Sequence, residues 1–357
     1  MRPVRVCLVA SSRYPVREPF AGGLESLTHH LARLLAARGH DVTLFAAGCD
    51  PHLPVRHLRP DPFVPTPTSM RDVNAPSLEW MTEHHAYLDL MLGLARDGAE
   101  QFDVVHNHSL HHLPVAMAGA VPVPVLTTLH TPPLPWIESA AAVAPGASSW
   151  TAVSRATAEA WAGTLTATPV LNGVDVDAWR PGPGGGPVVW TGRLVPEKAP
   201  HLAVDAARAA GREIVLAGPV QDAAYVAEEL APRLGADARL LGHLDHASLA
   251  RLLARASVAL VTPVWEEPYG LVAAEAMACG TPVAAFDRGA LREVVVPGTG
   301  ALAPADDVAA LAEAIEVAAR CDRGEVRAHA ERSLSAERMV REYEAVYAGL
   351  VPQEHAA

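Results

Sequence analysis

Short apolar runs alternate with helical stretches along almost the whole chain. The first half contains VRVCLVA, DVTLFAA, FDVVHNH, PVLTTLH, SWTAVS and TPVLN, and the second half contains PVVWTGR, REIVLAG, ARLLG, SVALVTP and TPVAAF. Continuous apolar runs of this length are typical of strands in parallel sheets that helices cover on both faces. With 357 residues, the chain is long enough for two such domains. The pattern predicts an α/β protein with two doubly wound parallel sheets.

A stretch rich in glycine and proline, RPGPGGGPVV, separates the two halves at residues 180–189. It can continue neither a helix nor a central strand, which indicates a linker. Near the end of the chain, SAERMVREYEAVYAGL has the spacing of one amphipathic helix, and we expect it to pack across the domain boundary. We predict a first domain of residues 1–174 plus 337–357, a linker of residues 175–186, and a second domain of residues 187–336.

Composition argues against several classes of partner. The net charge is −12, whereas proteins that bind nucleic acid need concentrated positive charge, so we expect no nucleic-acid partner. The sequence has no basic amphipathic helix and no apolar run long enough to span a bilayer, so we expect neither peripheral membrane contact nor a transmembrane segment. Four cysteines without a CxxC pair are typical of buried thiols in a reducing compartment. We therefore expect a cytoplasmic protein.

The loops that follow the strands are where a doubly wound fold binds ligands, and two such domains would form a cleft there. After the first strand, Gly22 and Gly23 precede a helix whose free N–H groups could bind an anion. No GxGxxG motif follows, so the fingerprint of a nicotinamide-binding domain is absent. In the second half, TGRLVPEKAP carries Arg193 and Lys198, which could neutralise a diphosphate. Lys198 is the only lysine beside 27 arginines. Either arginine does not serve at this position, or the single lysine falls here by chance.

The stretch EEPYGLVAAEAMACGTP places two carboxylates, Glu267 and Glu275, eight positions apart. On one continuous helix these positions would lie about 12 Å apart. Pro268 disfavours helix at Glu267, so we predict a helix that starts near Gly270 and carries Glu275 just over a turn inside. The two carboxylates would then flank a helix N-terminus, where the N–H groups of Gly270 and Leu271 can hold a phosphate. A nucleoside diphosphate sugar, with hydroxyls on both sides of its phosphates, has this layout.

At this point the chain resembles a known family, the retaining family 4 glycosyltransferases of the GT-B fold, whose motif is E-x7-E. AGGLESLTHHLARLLAARGHDVTLFA, TLHTP, LNGVDVDAW, TGRLVPEKAP and SAERMVREYEAVY are similar to family segments and fall in the expected order. The resemblance covers nearly the whole chain. It implies two Rossmann-like domains facing a deep interdomain cleft, with the acceptor on the side of the first domain and the nucleotide-sugar donor on the side of the second.

Carried over position by position, the resemblance implies a role for each motif residue. The implied catalytic residues are Glu267 on the donor sugar, Arg193 and Lys198 on the donor phosphates, and His130 near the reacting sugar. The implied donor-binding residues are Gly22, Gly23, Tyr269, Gly270, Leu271 and Glu275. One segment departs from the family pattern: in FDRGALREVVVPGTGALAP, Ala290 and Arg292 stand where the family usually has a second glycine before the glutamate, and the following turn is shorter.

Other polar and aromatic residues leave alternatives open. His106 and His108 of HNHSLHH point the same way on a strand, and we predict that they line the acceptor site, with a metal pair or ordinary packing as alternatives. Asp175 and Asp177 have a D-x-D spacing, which we interpret as a turn capped by Asp175 rather than a metal site. We predict packing roles, not a sugar-stacking platform, for four tryptophans, Trp136, Trp150, Trp161 and Trp179.

The predicted activity is retaining transfer of a hexose-type sugar from a nucleoside diphosphate to a hydroxyl of a small, soluble acceptor. We expect no cofactor and no metal, because cationic side chains and a helix N-terminus would compensate the charge of the leaving diphosphate. The resemblance implies front-side attack, in which the departing phosphate takes the acceptor proton. The absence of a membrane-binding helix favours the soluble acceptor, and we expect specialised metabolism as the setting. Two alternatives are a nucleotide-sugar epimerase of the same fold and a two-domain binding protein without turnover.

Overall fold

The computed structural model describes residues 2 to 351 and divides into two compact units. Unit 1 comprises the chain up to Val153, Ala158–Val170, and the chain from Val340 onward. Unit 2 comprises Ser154–Thr157 and Leu171–Met339. The residues assigned above to a linker therefore belong to unit 2, and the return to unit 1 starts at Val340.

Unit 1 is built on a seven-stranded sheet in the order β3-β2-β1-β4-β5-β6-β7, parallel throughout. Its strands are β1 (Arg5–Val9), β2 (Asp41–Phe45), β3 (Arg56–Leu58), β4 (Val104–Asn107), β5 (Val125–Leu129), β6 (Ser149–Ala152) and β7 (Thr168–Pro169). Val6 of β1 pairs with Val42 on one side and Val104 on the other. The strand order reverses at β1 and β4, the point at which doubly wound sheets bind ligands.

Helices cover this sheet. They are α1 (Gly23–Ala37), α2 (Leu78–Gln101), α3 (Leu113–Ala116), α4 (Pro135–Val143) and α5 (Arg155–Trp161). The spacing of Tyr87, Leu90, Met91 and Leu94 puts one apolar stripe of α2 into the core. Burying each of these side chains stabilises the fold by roughly 1.5–3 kcal/mol.

Unit 2 repeats the same strand order in a six-stranded sheet, β10-β9-β8-β11-β12-β13, again parallel throughout. Its strands are β8 (Val188–Thr191), β9 (Ile214–Ala217), β10 (Ala238–Leu240), β11 (Ala259–Val261), β12 (Val283–Phe286) and β13 (Gly300–Ala303). Trp190 of β8 pairs with Leu216 of β9 and with Leu260 of β11. The order reverses at β8 and β11, so the carboxyl ends of these two neighbours mark the ligand-binding edge.

The helices of unit 2 are α6 (Pro200–Ala209), α7 (Ala223–Tyr225), α8 (His246–Arg255), α9 (Leu271–Ala278), α10 (Leu291–Val294), α11 (Val308–Ala318) and α12 (Arg323–Ser333). The last helix, α13 (Ala336–Leu350), has most of its residues in unit 1. In the main core of unit 2, small residues of α6 and α11, such as Ala203 and Ala314, pack beside Trp190 and Phe286 of the sheet. No helix among the described residues has both the length and the hydropathy of a membrane span.

The glycine-rich stretch between the halves is held by α8 rather than loosely tethered. The N–H groups of Gly184 and Gly186 donate to the carbonyl oxygens of Ala254 and Arg255 at 3.1 and 2.8 Å. A Cβ atom at Gly182 would lie 2.6 Å from the Ala254 oxygen, inside any allowed contact. Glycine is therefore required here for close backbone approach.

Candidate active site

Two loops of unit 2 meet at its switch point, because β8 and β11 are neighbours in the sheet. The loop after β8 carries Arg193 and Lys198, and the loop after β11 carries Glu267. The sequence analysis placed these residues in loops that follow strands, and the structure shows that the two strands are neighbours. Parallel strands that end side by side bring the loops after them to one edge of the sheet.

A buried hydrogen-bond chain fixes the backbone of the first loop. Trp190 Nε1 donates to Thr262 Oγ1 at 3.0 Å, and that hydroxyl lies 3.0 Å from the carbonyl oxygens of both Lys198 and Ala199. Ala199 is fully buried and has a φ of +43°, a conformation that costs a non-glycine residue about 1 kcal/mol or more. Backbone strain of this kind occurs at functional sites, and here it sets the position of Lys198.

Lys198 and Glu267 form a close ion pair. Lys198 Nζ lies 2.5 Å from Glu267 Oε2, and the side chains are 22% and 11% exposed. Trp265 Nε1 donates to the same carboxylate oxygen at 3.2 Å, and its ring centroid lies 5.0 Å from Lys198 Nζ. One carboxylate oxygen is thus held by two donors, while Glu267 Oε1 has no hydrogen bond within residues 2–351 and can accept one from a ligand hydroxyl.

The segment that departs from the family pattern holds the loop of Glu267 through the backbone of Gly289 and Ala290. The N–H of Ala290 donates to the carbonyl oxygen of Glu267 at 2.9 Å, and the N–H of Gly289 donates to Glu266 Oε2 at 2.7 Å. Gly289 has a φ of +56°, and a Cβ there would lie 2.3 Å from the Glu267 oxygen. The segment therefore positions the glutamate loop through its backbone, a function that the side chains of Ala290 and Arg292 do not alter.

The glutamate loop leads into α9, which begins at Leu271 with Gly270 as its N-cap. This is the predicted helix start. Within the described residues, the N–H groups of Gly270 and Leu271 have no hydrogen-bond partner, so both remain available to an anion. The ring of Tyr269 is only 2% exposed, so this predicted donor-binding residue can reach a ligand through its backbone alone in this conformation.

Glu275 lies on the fifth position of α9 and is half-buried. Its carboxylate has no hydrogen bond or ion pair to any described residue, and burial raises its pKa to about 8. A desolvated carboxyl without a partner destabilises the native state, and such groups concentrate at functional sites. Burial without a protein partner is what we expect of a carboxylate that binds the hydroxyl groups of a ligand.

Glu275→Gln is expected to stabilise the free protein at pH 8 to 9 and to have little effect near pH 4.5. Because the pKa of Glu275 is raised to about 8 in the native state, the native protein binds more protons than the unfolded chain between pH 4.5 and 8. Its stability therefore falls as pH rises through that window, and glutamine removes the loss. Denaturant unfolding at pH 5, 7 and 9 measures this. Glu313→Gln, on an exposed position of α11, is the matched control; equal pH profiles for wild type and Glu275→Gln would contradict the assignment.

Arg193 lies on the same loop as Lys198 but points into solvent. Its guanidinium lies 3.1 Å from Gln221 Oε1 and 3.5 Å from Glu197 Oε1, and its side chain is 38% exposed. Exposed ion pairs of this kind contribute little to stability. Arg193 can therefore exchange these partners for a phosphate at low cost.

In unit 1, Gly22 caps α1 and Gly23 begins it, as the sequence predicts for a helix N-terminus near β1. A Cβ built on Gly22 would lie 3.4 Å from Glu25 Oε2, so a carboxylate already approaches this helix end. An anion that binds the N–H groups of Gly22 and Gly23 would therefore have the carboxylate of Glu25 as a neighbour.

The predicted acceptor residues His106 and His108 are fully buried. His106 lies on β4 at the centre of the sheet, and His108 follows directly after the strand. His108 Nδ1 lies 3.0 Å from His130 Nε2, and His108 Nε2 lies 3.2 Å from His106 Nδ1, so His108 stands between His106 and the predicted catalytic histidine. The burial argues against direct contact of His106 and His108 with an acceptor, because neither side chain presents an accessible atom.

A second histidine cluster, His84, His111 and His112, has ring nitrogens within 4.8 Å of one another, the spacing of a metal site. The N–H of Leu113 donates to His111 Nδ1 at 3.2 Å, which occupies the one free lone pair of that neutral ring and leaves its proton on Nε2. His111 and His112 stack with ring centroids 4.4 Å apart. This arrangement favours aromatic packing over metal binding.

The tryptophan and aspartate predictions meet different outcomes. Trp161 and Trp179 are buried as predicted, but Trp136 is 68% exposed and stands beside His112, so its predicted packing role is wrong. Position 136 lies in the first turn of α4, where the spacing did not reveal which face points to solvent.

Asp175 Oδ1 accepts from the N–H groups of Asp177 and Ala178 at 3.1 and 3.3 Å, which is the predicted capping role.

Two family models match the two halves of the chain. The model described as Glycosyltransferase Family 4 matches residues 21–178, and the model described as Glycosyl transferases group 1 matches residues 186–333. Glycogen synthase of Mycobacterium tuberculosis strain H37Rv is 30% identical over 353 residues, covering 86% of this chain and 84% of that protein.

Two solved structures show the same fold. Sucrose-phosphate synthase from Thermosynechococcus elongatus has a TM-score of 0.77 at 22% identity and covers 97% of this chain and 98% of its own. Anabaena HepE in complex with UDP-glucose has a TM-score of 0.72 at 18% identity, covering 97% of this chain and all of its own.

Proposed function

The chain belongs to the family 4 glycosyltransferases of the GT-B fold, and from this premise we propose that it transfers a hexose-type sugar from a nucleoside diphosphate to an acceptor hydroxyl with retention of configuration. The Anabaena relative is described in complex with UDP-glucose, which makes a uridine diphosphate hexose the first donor to test. The acceptor we propose is a small, soluble molecule of specialised metabolism.

One observation supports this proposal most directly: Lys198, Glu267 and Trp265 form a cluster on the loops that lead from the switch point to the start of α9. The cluster offers a cation for phosphate and a carboxylate oxygen for a sugar hydroxyl. The N–H groups of Gly270 and Leu271 add donors for a phosphate, and Glu275 adds a second carboxylate inside the helix. Phosphate donors between two hydroxyl-binding carboxylates match the order hexose, diphosphate, ribose.

In the proposed reaction, negative charge develops on the departing diphosphate as the glycosidic bond breaks. Lys198, Arg193 and the N-terminus of α9 compensate that charge, and fixed donors of this kind stabilise a transition state more than a ground state. Glu267 orients the sugar by accepting from its hydroxyls, while Glu275 accepts from the ribose diol. His130 hydrogen-bonds the transferred sugar. The acceptor oxygen attacks on the face from which the diphosphate leaves, and a phosphate oxygen takes its proton.

We propose that turnover takes place in the cytoplasm. All four cysteines are free, and Cys7 and Cys279 are buried. Free thiols of this kind are typical of proteins in a reducing compartment.

Turnover is expected to persist in excess chelator, because side-chain cations replace a divalent metal in the proposed site. The test follows UDP release and glycoside formation from UDP-glucose with a panel of sugar and polyol acceptors, after dialysis against EDTA. The expected rate is within about twofold of the untreated enzyme. Loss of activity that Mg²⁺ or Mn²⁺ restores would overturn metal independence, and Asp175→Ala and His84→Ala would then identify the ligands. Release of free sugar without any acceptor would favour the epimerase alternative.

A further inference from the structure

A chain of hydrogen bonds links the last helix to His130. Tyr347 Oη of α13 lies 2.7 Å from His106 Nδ1, and His108 Nε2 lies 3.2 Å from that same nitrogen. The other ring nitrogen of His108, Nδ1, lies 3.0 Å from His130 Nε2. The other ring nitrogen of His106, Nε2, lies 2.7 Å from Thr128 Oγ1, so both nitrogens of His106 have hydrogen-bond partners.

Every inner member of this chain is sealed from solvent. Tyr347, His106 and His108 have an exposed fraction of 0%, whereas His130 is only partly buried. Burial lowers the pKa of all three histidines and raises the pKa of Tyr347 well above its ordinary value. Each imidazole is therefore neutral and carries one proton, and the phenol keeps its proton.

Because each ring carries one proton, all hydrogen bonds between the histidines donate in the same direction along the chain. A neutral imidazole donates from one nitrogen and accepts at the other, so the role of His106 Nδ1 dictates the role of every later nitrogen. If His106 Nδ1 accepts, its one lone pair is shared by Tyr347 O–H and His108 Nε2–H, because an unprotonated His108 Nε2 would put two lone pairs 3.2 Å apart. His108 Nδ1 then accepts, and His130 Nε2 donates. If His106 Nδ1 donates, all these roles reverse.

Tyr347 decides between the two directions. Within residues 2–351, His106 Nδ1 is the only hydrogen-bond partner of its hydroxyl, and a buried O–H that donates to nothing is costly. The hydroxyl therefore donates, and His106 carries its proton on Nε2, facing Thr128 Oγ1. That oxygen can pass its own proton to Thr151 Oγ1, 2.7 Å away.

We propose that Tyr347, His106 and His108 act as positioning residues that hold the proton of His130 on Nε2 and leave Nδ1 as a permanent hydrogen-bond acceptor. His130 Nδ1 has no partner in the described part of the chain, so its lone pair is open to a ligand hydroxyl. The consequence for catalysis rests on the proposed function: His130 would accept from a hydroxyl of the transferred sugar, and a ring with the opposite tautomer would present a donor there instead.

The direct test is the tautomer of His130 in the free wild-type protein. Ring-nitrogen NMR on protein labelled with ¹⁵N-histidine separates protonated from unprotonated nitrogens, and the spectrum of His130→Gln assigns the His130 signals. We expect Nε2 protonated and Nδ1 unprotonated from pH 6 to 8. A proton on Nδ1 of His130 would overturn the proposal, and this measurement needs no active-site ligand.

Tyr347→Phe tests the origin of the preference. Without the hydroxyl, the direction of the chain is no longer fixed, so the His130 signals should shift towards the other tautomer or a mixture of both. With UDP-glucose as donor, kcat should fall about 2- to 10-fold, the value of one hydrogen bond, with little change in donor KM.

Tyr87→Phe is the matched control, because Tyr87 is an equally buried tyrosine of unit 1 whose hydroxyl donates to Ala10 O at 2.9 Å outside the chain. It should lose stability but keep the His130 signals of wild type. Unchanged His130 signals in Tyr347→Phe would show that Tyr347 does not set the tautomer. A correct tautomer in a protein that turns over no nucleotide sugar would instead count against the proposed function alone.

Discussion

Glu267→Ala is expected to lower kcat on the order of 10²- to 10³-fold and to change the donor KM much less. The transferred sugar changes its geometry and charge in the transition state, so a contact to it acts mainly on the chemical step. The substitution also removes the carboxylate that holds Lys198 Nζ at 2.5 Å and Trp265 Nε1 at 3.2 Å. Initial rates over a range of UDP-glucose concentrations give both parameters.

Two matched variants sharpen this test. Glu266→Ala removes the neighbouring carboxylate, which is 64% exposed and faces Gly289 and Arg288, and it should cost only a few-fold in kcat. Glu275→Ala should mainly raise the donor KM, because ribose contacts are similar in the ground and transition states. Equal changes of kcat and KM in both Glu267→Ala and Glu275→Ala would contradict the separate roles of the two carboxylates.

Lys198→Arg is expected to lower kcat/KM for the donor roughly 10- to 150-fold although the charge is retained. Lys198 Nζ sits within 2.5 Å of Glu267 Oε2 and 5.0 Å from the ring centroid of Trp265, a space that suits a compact ammonium. A guanidinium is a wider planar fork and cannot place its charge at the same point. Loss of one well-placed charge-assisted hydrogen bond costs on the order of 1.5–3 kcal/mol, which corresponds to that range of rates.

Arg193→Lys is the reciprocal control on the same loop. Arg193 is 38% exposed and has room around it, so the swap should cost less than Lys198→Arg and leave the thermal stability unchanged. Wild-type kinetics for Lys198→Arg would show that the single lysine of the sequence is an accident of composition.

Apolar runs predicted most of the strands, and the exceptions have a common cause. β3 (Arg56–Leu58) is a three-residue edge strand of unit 1 in a proline-rich stretch, and β13 (Gly300–Ala303) is an edge strand of unit 2 in which three of the four residues are glycine or alanine. Edge strands bury less surface, so they need no apolar run. The sequence did not reveal that the glycine-rich stretch packs on α8, because glycine serves both flexible chains and close packing, and only the contact with α8 distinguishes them.

The candidate site was predictable where the chemistry lies within one segment. Pro268 and the spacing of Glu267 and Glu275 predicted a helix start near Gly270, next to the observed start of α9 at Leu271. The ion pair between Lys198 and Glu267 was not predicted. Contacts between residues far apart in the sequence could not be predicted. Examples are the hydrogen bond of Thr262 to the Lys198 carbonyl and that of the Ala290 N–H to the Glu267 carbonyl.

The histidines show the same limit. A strand pattern fixes which way a side chain points but not what covers it, so the burial of His106 under Tyr347 of a helix some 240 residues later was invisible. The role of Trp265 could have been predicted, because its indole N–H directly precedes two glutamates and can donate to one of their carboxylates.

Thermal and denaturant unfolding with a panel of nucleotide sugars, UDP-glucose, ADP-glucose, GDP-glucose and GDP-mannose, tests the central claim most directly. The account predicts that at least one of them raises the free energy of unfolding, by about 2.7 kcal/mol at 100 times its dissociation constant. It also predicts that Lys198→Ala and Glu275→Ala weaken this stabilisation, whereas Glu313→Gln on α11 leaves it intact. Stability that no nucleotide sugar changes, or a gain that survives both substitutions, would contradict a donor site built on Lys198, Glu267 and Glu275.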